Sequence, residues 1–196
     1  TLNMLKTAKD VCKYLNDPDL KKYESLEKEM KENVKKVFYK NGIVNDGFND
    51  ATIRPNLFLA YYIYPDLLSS GEWESVFKKS LEALWLEWGG VSTIDKKNHL
   101  FCDEYTGMND KSYHRGDSWY WVNNLVAICL YRNNHELFKK YITKIVHAST
   151  EEILRMGALG CHSEVSSAKE KRSEGTISQA WSSALYIEMV NELFLG

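Results

Sequence analysis

Five carboxylic acids fall in stretches rich in loop and helix-start signals: Asp50, Asp103, Glu104, Asp117 and Glu164. Carboxyl groups in pairs can hydrolyse a glycosidic bond. One stays protonated to release the leaving oxygen and the other stays ionised to activate water, and in an inverting pair the two stand ~6.5–9.5 Å apart so that the water fits between them. A group in either role typically contributes about 10²- to 10⁴-fold in rate. Each of the five also has a plainer use as a helix cap, a surface charge or an acceptor for a substrate hydroxyl, and their types alone leave that open.

The densest chemistry lies in Tyr113-His114-Arg115-Gly116-Asp117-Ser118-Trp119-Tyr120-Trp121-Val122-Asn123-Asn124. Polar side chains alternate there with flat aromatic faces. A sugar needs that mixture, because its hydroxyls want directional partners while its C–H faces stack on Trp and Tyr. A helix start capped by Asp117 or Ser118, with the aromatics filling the core, uses the same residues.

Other chemistries find less support. His99, His114, His135, His147 and His162 show no HxxxH or HxH spacing, so no metal site is expected. Cys12, Cys102, Cys129 and Cys161 lack the short spacings of zinc knuckles or redox pairs and read as reduced thiols. His162-Ser163-Glu164 is not a nucleophile elbow, and no glycine-rich phosphate loop is written anywhere, so no cofactor is expected. A net charge of −2, with lysines on solvent faces of helices, gives no nucleic-acid footprint. No apolar run approaches the ~18 residues of a membrane span and no signal peptide opens the sequence, so a cytoplasmic protein without a membrane partner is expected.

The elements that must position these groups are helices. Leu5, Ala8, Val11, Cys12 and Leu15 recur at helical spacing up to Asn16-Asp17-Pro18, and Asp19 opens a long helix with a charged face from Lys28 to Lys36. Pro55 suits the start of a helix from Leu57 to Tyr64 that is apolar almost all round. Val76, Phe77, Leu81, Leu84, Trp85 and Trp88 face inward on the next, which Gly89-Gly90 stops. Residues 91 to 116 show neither helical nor strand period, apart from possible short β pairs, and ordered loops of that length are usually functional.

A second all-round apolar helix then runs through Leu125 to Leu130, followed by an amphipathic one using Leu137, Phe138, Tyr141, Ile142, Ile145 and Val146. Ser149 and Glu152 have the spacing of a capping box for a short helix to about Met156. Thr176 is placed to cap the last helix. Apolar helices preceded by polar loops and followed by amphipathic helices predict one all-α domain, inner helices within outer ones as in an α/α toroid. Its polar loops would gather at one end, where function should sit.

Four blocks now carry a resemblance: Asp50-Ala51-Thr52-Ile53-Arg54-Pro55-Asn56, Tyr105-Thr106-Gly107, the Tyr113 to Trp121 stretch, and Ser163-Glu164 followed by Thr176-Ile177-Ser178-Gln179-Ala180-Trp181-Ser182. In order and spacing the sequence resembles the C-terminal amylo-α-1,6-glucosidase domain of glycogen debranching enzymes, from about Leu2 to Leu195. The resemblance implies an (α/α)₆ barrel, of which residues 1–196 would be the latter half. It implies inverting hydrolysis of α-1,6-linked glucose at the branches of glycogen or limit dextrin, in glycogen catabolism. Glu164 matches the family's general base. Asp50, Arg54, Tyr113, His114, Asp117, Trp119, Trp121 and Gln179 fall on blocks that would bind the glucose.

The family's general acid, an aspartate in an upstream TWMDA-like block, has no counterpart here. Completion by an upstream half of the barrel or a separate chain is therefore expected, and inactivity of the isolated chain with it. Two alternatives stand beside this: a non-catalytic glycan-binding or regulatory half-barrel, and a related α-glucosidase of the glucoamylase or trehalase type.

Overall fold

An apolar stretch with no wet side is stable only if other elements wrap it. In the computed structural model, which describes residues 1–195 and all their side chains but those at 109 and 110, Leu57, Phe58 and Tyr61 are buried on helix α3 (Asn56–Ile63). Phe58 stacks on Phe77 of α4 (Ser70–Leu84) with centroids 4.9 Å apart, and Tyr61 meets Trp73 edge-on at 5.2 Å. Ser69 and Glu72 form the box that caps α4. Gly196 lies outside the described residues.

Helix α5 (Tyr120–Arg155) carries the rest of the core, with Leu125 to Leu130 all buried. Its regularity breaks at Asn134, where φ is −162° and ψ is 86°. A straight helix would separate Asn124 from Ser149 by roughly 38 Å at the usual rise per residue. The two side chains are instead hydrogen-bonded at 2.7 Å, so α5 folds back on itself at Asn134. The Asn134 side chain accepts the Leu137 N–H at 3.2 Å and starts the returning segment.

Preceding these are α1 (Leu2–Leu15), ended by a left-handed Asn16, and α2 (Leu20–Phe38). The charged face of α2 is not wholly wet: Glu27 is buried, accepting from Lys9 and from the Tyr64 hydroxyl. Short antiparallel pairs punctuate the loops, namely β1 (Tyr39–Lys40) with β2 (Ile43–Val44), β3 (Trp85–Leu86) with β4 (Gly90–Val91), and β5 (Ser118–Trp119) with β6 (Val165–Ser166). The molecule is thus all-α in class, with strands serving as clips.

Two elements differ from the expectation. Ser149 and Glu152 cap nothing; they sit within the returning half of α5, both buried on one face. The last helix, α6 (Ala180–Val190), begins after Thr176, whose backbone is drawn toward Glu164 instead. On α6 only Ser182 and Met189 are buried, and Trp181 and Ile187 are exposed. Among the described residues no helix is long and apolar enough to cross a membrane.

Candidate functional site

The β5–β6 clip brings two distant blocks together. Trp119 stands opposite Val165, and the Tyr120 N–H donates to the Glu164 carbonyl at 3.2 Å. On its other side, the Glu164 N–H donates to the Thr176 carbonyl at 2.9 Å and Val165 pairs with Glu174. Glu164 is therefore held by backbone on both flanks, one residue along from the partner of Trp119.

Its carboxylate is held as firmly. Oε1 accepts from the Tyr113 hydroxyl and Oε2 from the Thr176 N–H at 2.9 Å. Gly175 lies beside it at φ +71°, and a Cβ there would stand 2.6 Å from Oε2. Only glycine leaves room for the carboxylate in that turn. Burial disfavours ionisation of Glu164, but the donors Tyr113, Thr176 and Gln179 outweigh it and keep the carboxyl below the usual glutamate range. Such a group is an ionised acceptor; it is not a proton donor at neutral pH.

Tyr113 joins the acid to an aromatic wall. Its ring lies 4.6 Å from Trp119, its carbonyl accepts the Trp119 indole N–H at 3.0 Å, and His114 lies nearly parallel to Trp119 at 5.8 Å. Burial first, and then the bond to Glu164, push the Tyr113 hydroxyl well above its ordinary value, so it stays a protonated donor. The wall continues through Trp181, 5.9 Å from Trp119 and 5.7 Å from Trp121.

His114, Trp119, Trp121 and Trp181 bound a cavity of about 290 Å³, lined also by Arg54, Pro55, Asn56, Thr93 and Val122; Tyr113 and Glu164 stand behind this wall and do not line it. The volume is near the lower end of small-ligand sites. Among the described residues the buried Trp121 indole N–H has no acceptor. None of the described lining residues is a carboxylic acid. A larger cleft of about 1040 Å³ lies between α1, α2 and α4, and holds two ion pairs, Lys9 with Glu27 and Lys35 with Glu72.

The remaining expected residues occupy distinct places. Arg54 lines the cavity, yet its guanidinium donates to the carbonyls of Thr93 at 3.0 Å and His114 at 2.8 Å, tying the two rims together. Gln179 is the residue before α6; its N–H donates to the His162 carbonyl at 2.8 Å and its side chain supports Glu164. Asp50 is exposed in an Asx turn, accepting the Thr52 N–H at 2.9 Å, and is not among the lining residues.

Asp117 is fully buried, with the Ser112 hydroxyl on Oδ2 at 2.9 Å and, among the described residues, no partner on Oδ1. It anchors the loop that presents Tyr113. Gly116 makes the close approach this loop needs, since a Cβ would stand 1.7 Å from the Cys102 carbonyl oxygen. Trp181 went unnoticed among the candidates although it stands in a quoted block, because an aromatic in the first turn of an apolar helix reads as core.

A sequence model of one known family covers nearly the whole of this arrangement: that for amylo-alpha-1,6-glucosidase matches residues 1–188. The chain belongs to the amylo-alpha-1,6-glucosidase family. No curated protein matches it at a significant level. As a member of this family it is a domain of the glycoside hydrolase and glycogen debranching type, whose implied substrate is a branched glucan. Glu164, Trp119 and Trp181 all lie within the matched region.

Proposed function

We propose that the chain supplies the general base and much of the glucose pocket of an inverting amylo-α-1,6-glucosidase. Its substrate is the α-1,6-linked glucose at a branch of glycogen or limit dextrin. One observation carries this: an ionised carboxylate, Glu164, is fixed by two donors, one of which, Tyr113, packs against Trp119 in the wall of an aromatic cavity of family-matched residues. In this reading the glucose ring stacks within the wall of Trp119, Trp121 and Trp181. Glu164 takes a proton from the water that attacks the anomeric carbon.

The leaving oxygen needs a proton from a second carboxyl group, and the described residues of the cavity lining offer none. We place that donor in an upstream half of an (α/α)₆ barrel or in a separate chain. The isolated chain is then inactive, for without the donor the leaving group departs as an alkoxide. With that half added, proton NMR of the first glucose released should show the β anomer. Release of the α anomer would refute inversion, and release of glucose by the isolated chain would refute the divided site.

The absence of an acid among the described lining residues favours a second reading, a glycan-binding half-barrel without chemistry. Calorimetric titration of the chain with maltose and isomaltose separates the two. Sugar binding that is indifferent to Glu164→Gln, together with no hydrolysis after the upstream half is added, supports the binding module.

A further inference from the structure

Behind Glu164 lies a second acid that the chemistry above does not use. Glu152, on the returning half of α5, is fully buried. Its Oε1 accepts from the Ser163 hydroxyl at 2.6 Å and the Ser173 hydroxyl at 2.7 Å, and its Oε2 from His162 Nδ1 at 2.6 Å. The Ser163 N–H points at both oxygens from 3.4 Å. A buried carboxylate is costly unless all its lone pairs are engaged, and a half-satisfied one is worse than none. Every donor here belongs to the loop that carries Glu164: His162 and Ser163 immediately precede it, and Ser173 stands just before the Gly175–Thr176 turn that grips its side chain.

The network has a single direction. The Ser149 hydroxyl donates to Asn124 Oδ1 at 2.7 Å, and the Asn124 amide then faces His162 Nε2 at 3.2 Å and the Ser182 carbonyl at 3.3 Å. The amide can only donate to Nε2, so the His162 proton sits on Nδ1 and goes to Glu152. Both halves of α5, the first turn of α6 and both ends of the loop are thereby locked to one carboxylate. The fold-back at Asn134 is what brings these groups within reach.

We propose that Glu152 is a positioning residue for Glu164: it holds the loop on both sides of that acid so that its carboxylate meets Tyr113 and Thr176. The catalytic consequence rests on Glu164 being the base; the structural consequence does not. If Glu152 is lost, Glu164 drifts from its donors and titrates at higher pH. Burial opposes ionisation of Glu152 itself, and its donors, led by His162, more than offset that.

The test is a carbon-13 NMR titration of the Glu164 carboxyl in the full 196-residue chain, comparing wild type with Glu152→Gln and with the milder Ser173→Ala. We expect the Glu164 midpoint to rise in both variants, more in the first, while spectra of the α3–α4 core stay unchanged. Unchanged midpoints in folded variants would overturn the proposal, and Ser173→Ala decides alone if Glu152→Gln does not fold. With the upstream half added, kcat should fall about ten- to a hundredfold in Glu152→Gln at little change in KM, as for a misplaced reacting group. Full activity of Glu164→Gln would sink the base assignment but leave the titration result to stand or fall separately.

Discussion

The Tyr113 hydroxyl donates to Oε1 of Glu164 across a sequence separation of 51 residues, from a loop whose only tie to that acid is the fold. The bond joins the aromatic wall to the carboxylate and, with Thr176 and Gln179, favours its ionised form against burial. A hydrogen bond to a charged group is worth ~1.5–3 kcal/mol. Tyr113→Phe should therefore move the acid limb of the kcat/KM profile of the completed enzyme up by about 1 to 2 pH units. The sign follows from the depressed value of Glu164: its ionised form is favoured in the fold, and that advantage disappears as pH falls through the folded value. An acid limb that stays in place would show that Tyr113 does not tune this group.

Gly175 offers a steric test of the same contact. Gly175→Ala forces a side chain into the left-handed region, at roughly 1–2 kcal/mol, and drives a methyl into the carboxylate. We expect a modest loss in thermal stability and a much larger loss in kcat/KM, near a hundredfold if the carboxylate moves by about 1 Å. Activity lost only in proportion to unfolding would contradict the geometry.

Asp117 is expected to make stability depend on pH in the opposite sense to Glu164. Burial pushes its carboxyl up to about 7, against the lowering by the Ser112 hydroxyl. Its stabilising, protonated form is fully present below the ordinary carboxyl range and is lost as pH rises through about 7. Asp117→Asn should match wild type near pH 4 and exceed it by up to roughly 4 kcal/mol above pH 7. Denaturant unfolding of both proteins across that range checks it, and a difference that does not grow with pH would count against a buried acid.

Trp181 is 47 % exposed and closes one side of the cavity. Trp181→Ala should leave stability within about 0.5 kcal/mol, as for surface changes. It should weaken isomaltose binding about tenfold, the equivalent of ~1.4 kcal/mol. Calorimetry giving wild-type affinity would remove this ring from the sugar site.

Much of this was legible before any coordinates. Of the all-round apolar runs, Leu125 to Leu130 is buried throughout, while Leu57 to Ile63 buries Leu57, Phe58 and Tyr61 and leaves Ile63 exposed. The four blocks fixed the family because their order constrains more than any one of them. What escaped notice was tertiary. Ser149 and Glu152 have a spacing that suits a helix start and a buried helix face equally well, and only the reversal at Asn134 decides between them.

Thr176 looked like a cap because threonine before an apolar run usually is one, while its N–H is in fact given to a carboxylate twelve residues earlier. Arg54 was expected at the glucose pocket and does line the cavity, while its Nη1 also donates to the carbonyls of Thr93 and His114, a tie that no local pattern shows. A local pattern cannot report which distant acceptor has claimed a donor.

The most direct test of the central claim is the rate of glucose release from a branched limit dextrin by Glu164→Gln, assayed with the upstream half proposed above to carry the acid. Gln keeps the shape and the acceptor oxygen but cannot take a proton from water. The rate should fall about 10²- to 10⁴-fold with KM little changed. Release at the wild-type rate would show that water is activated by some other group.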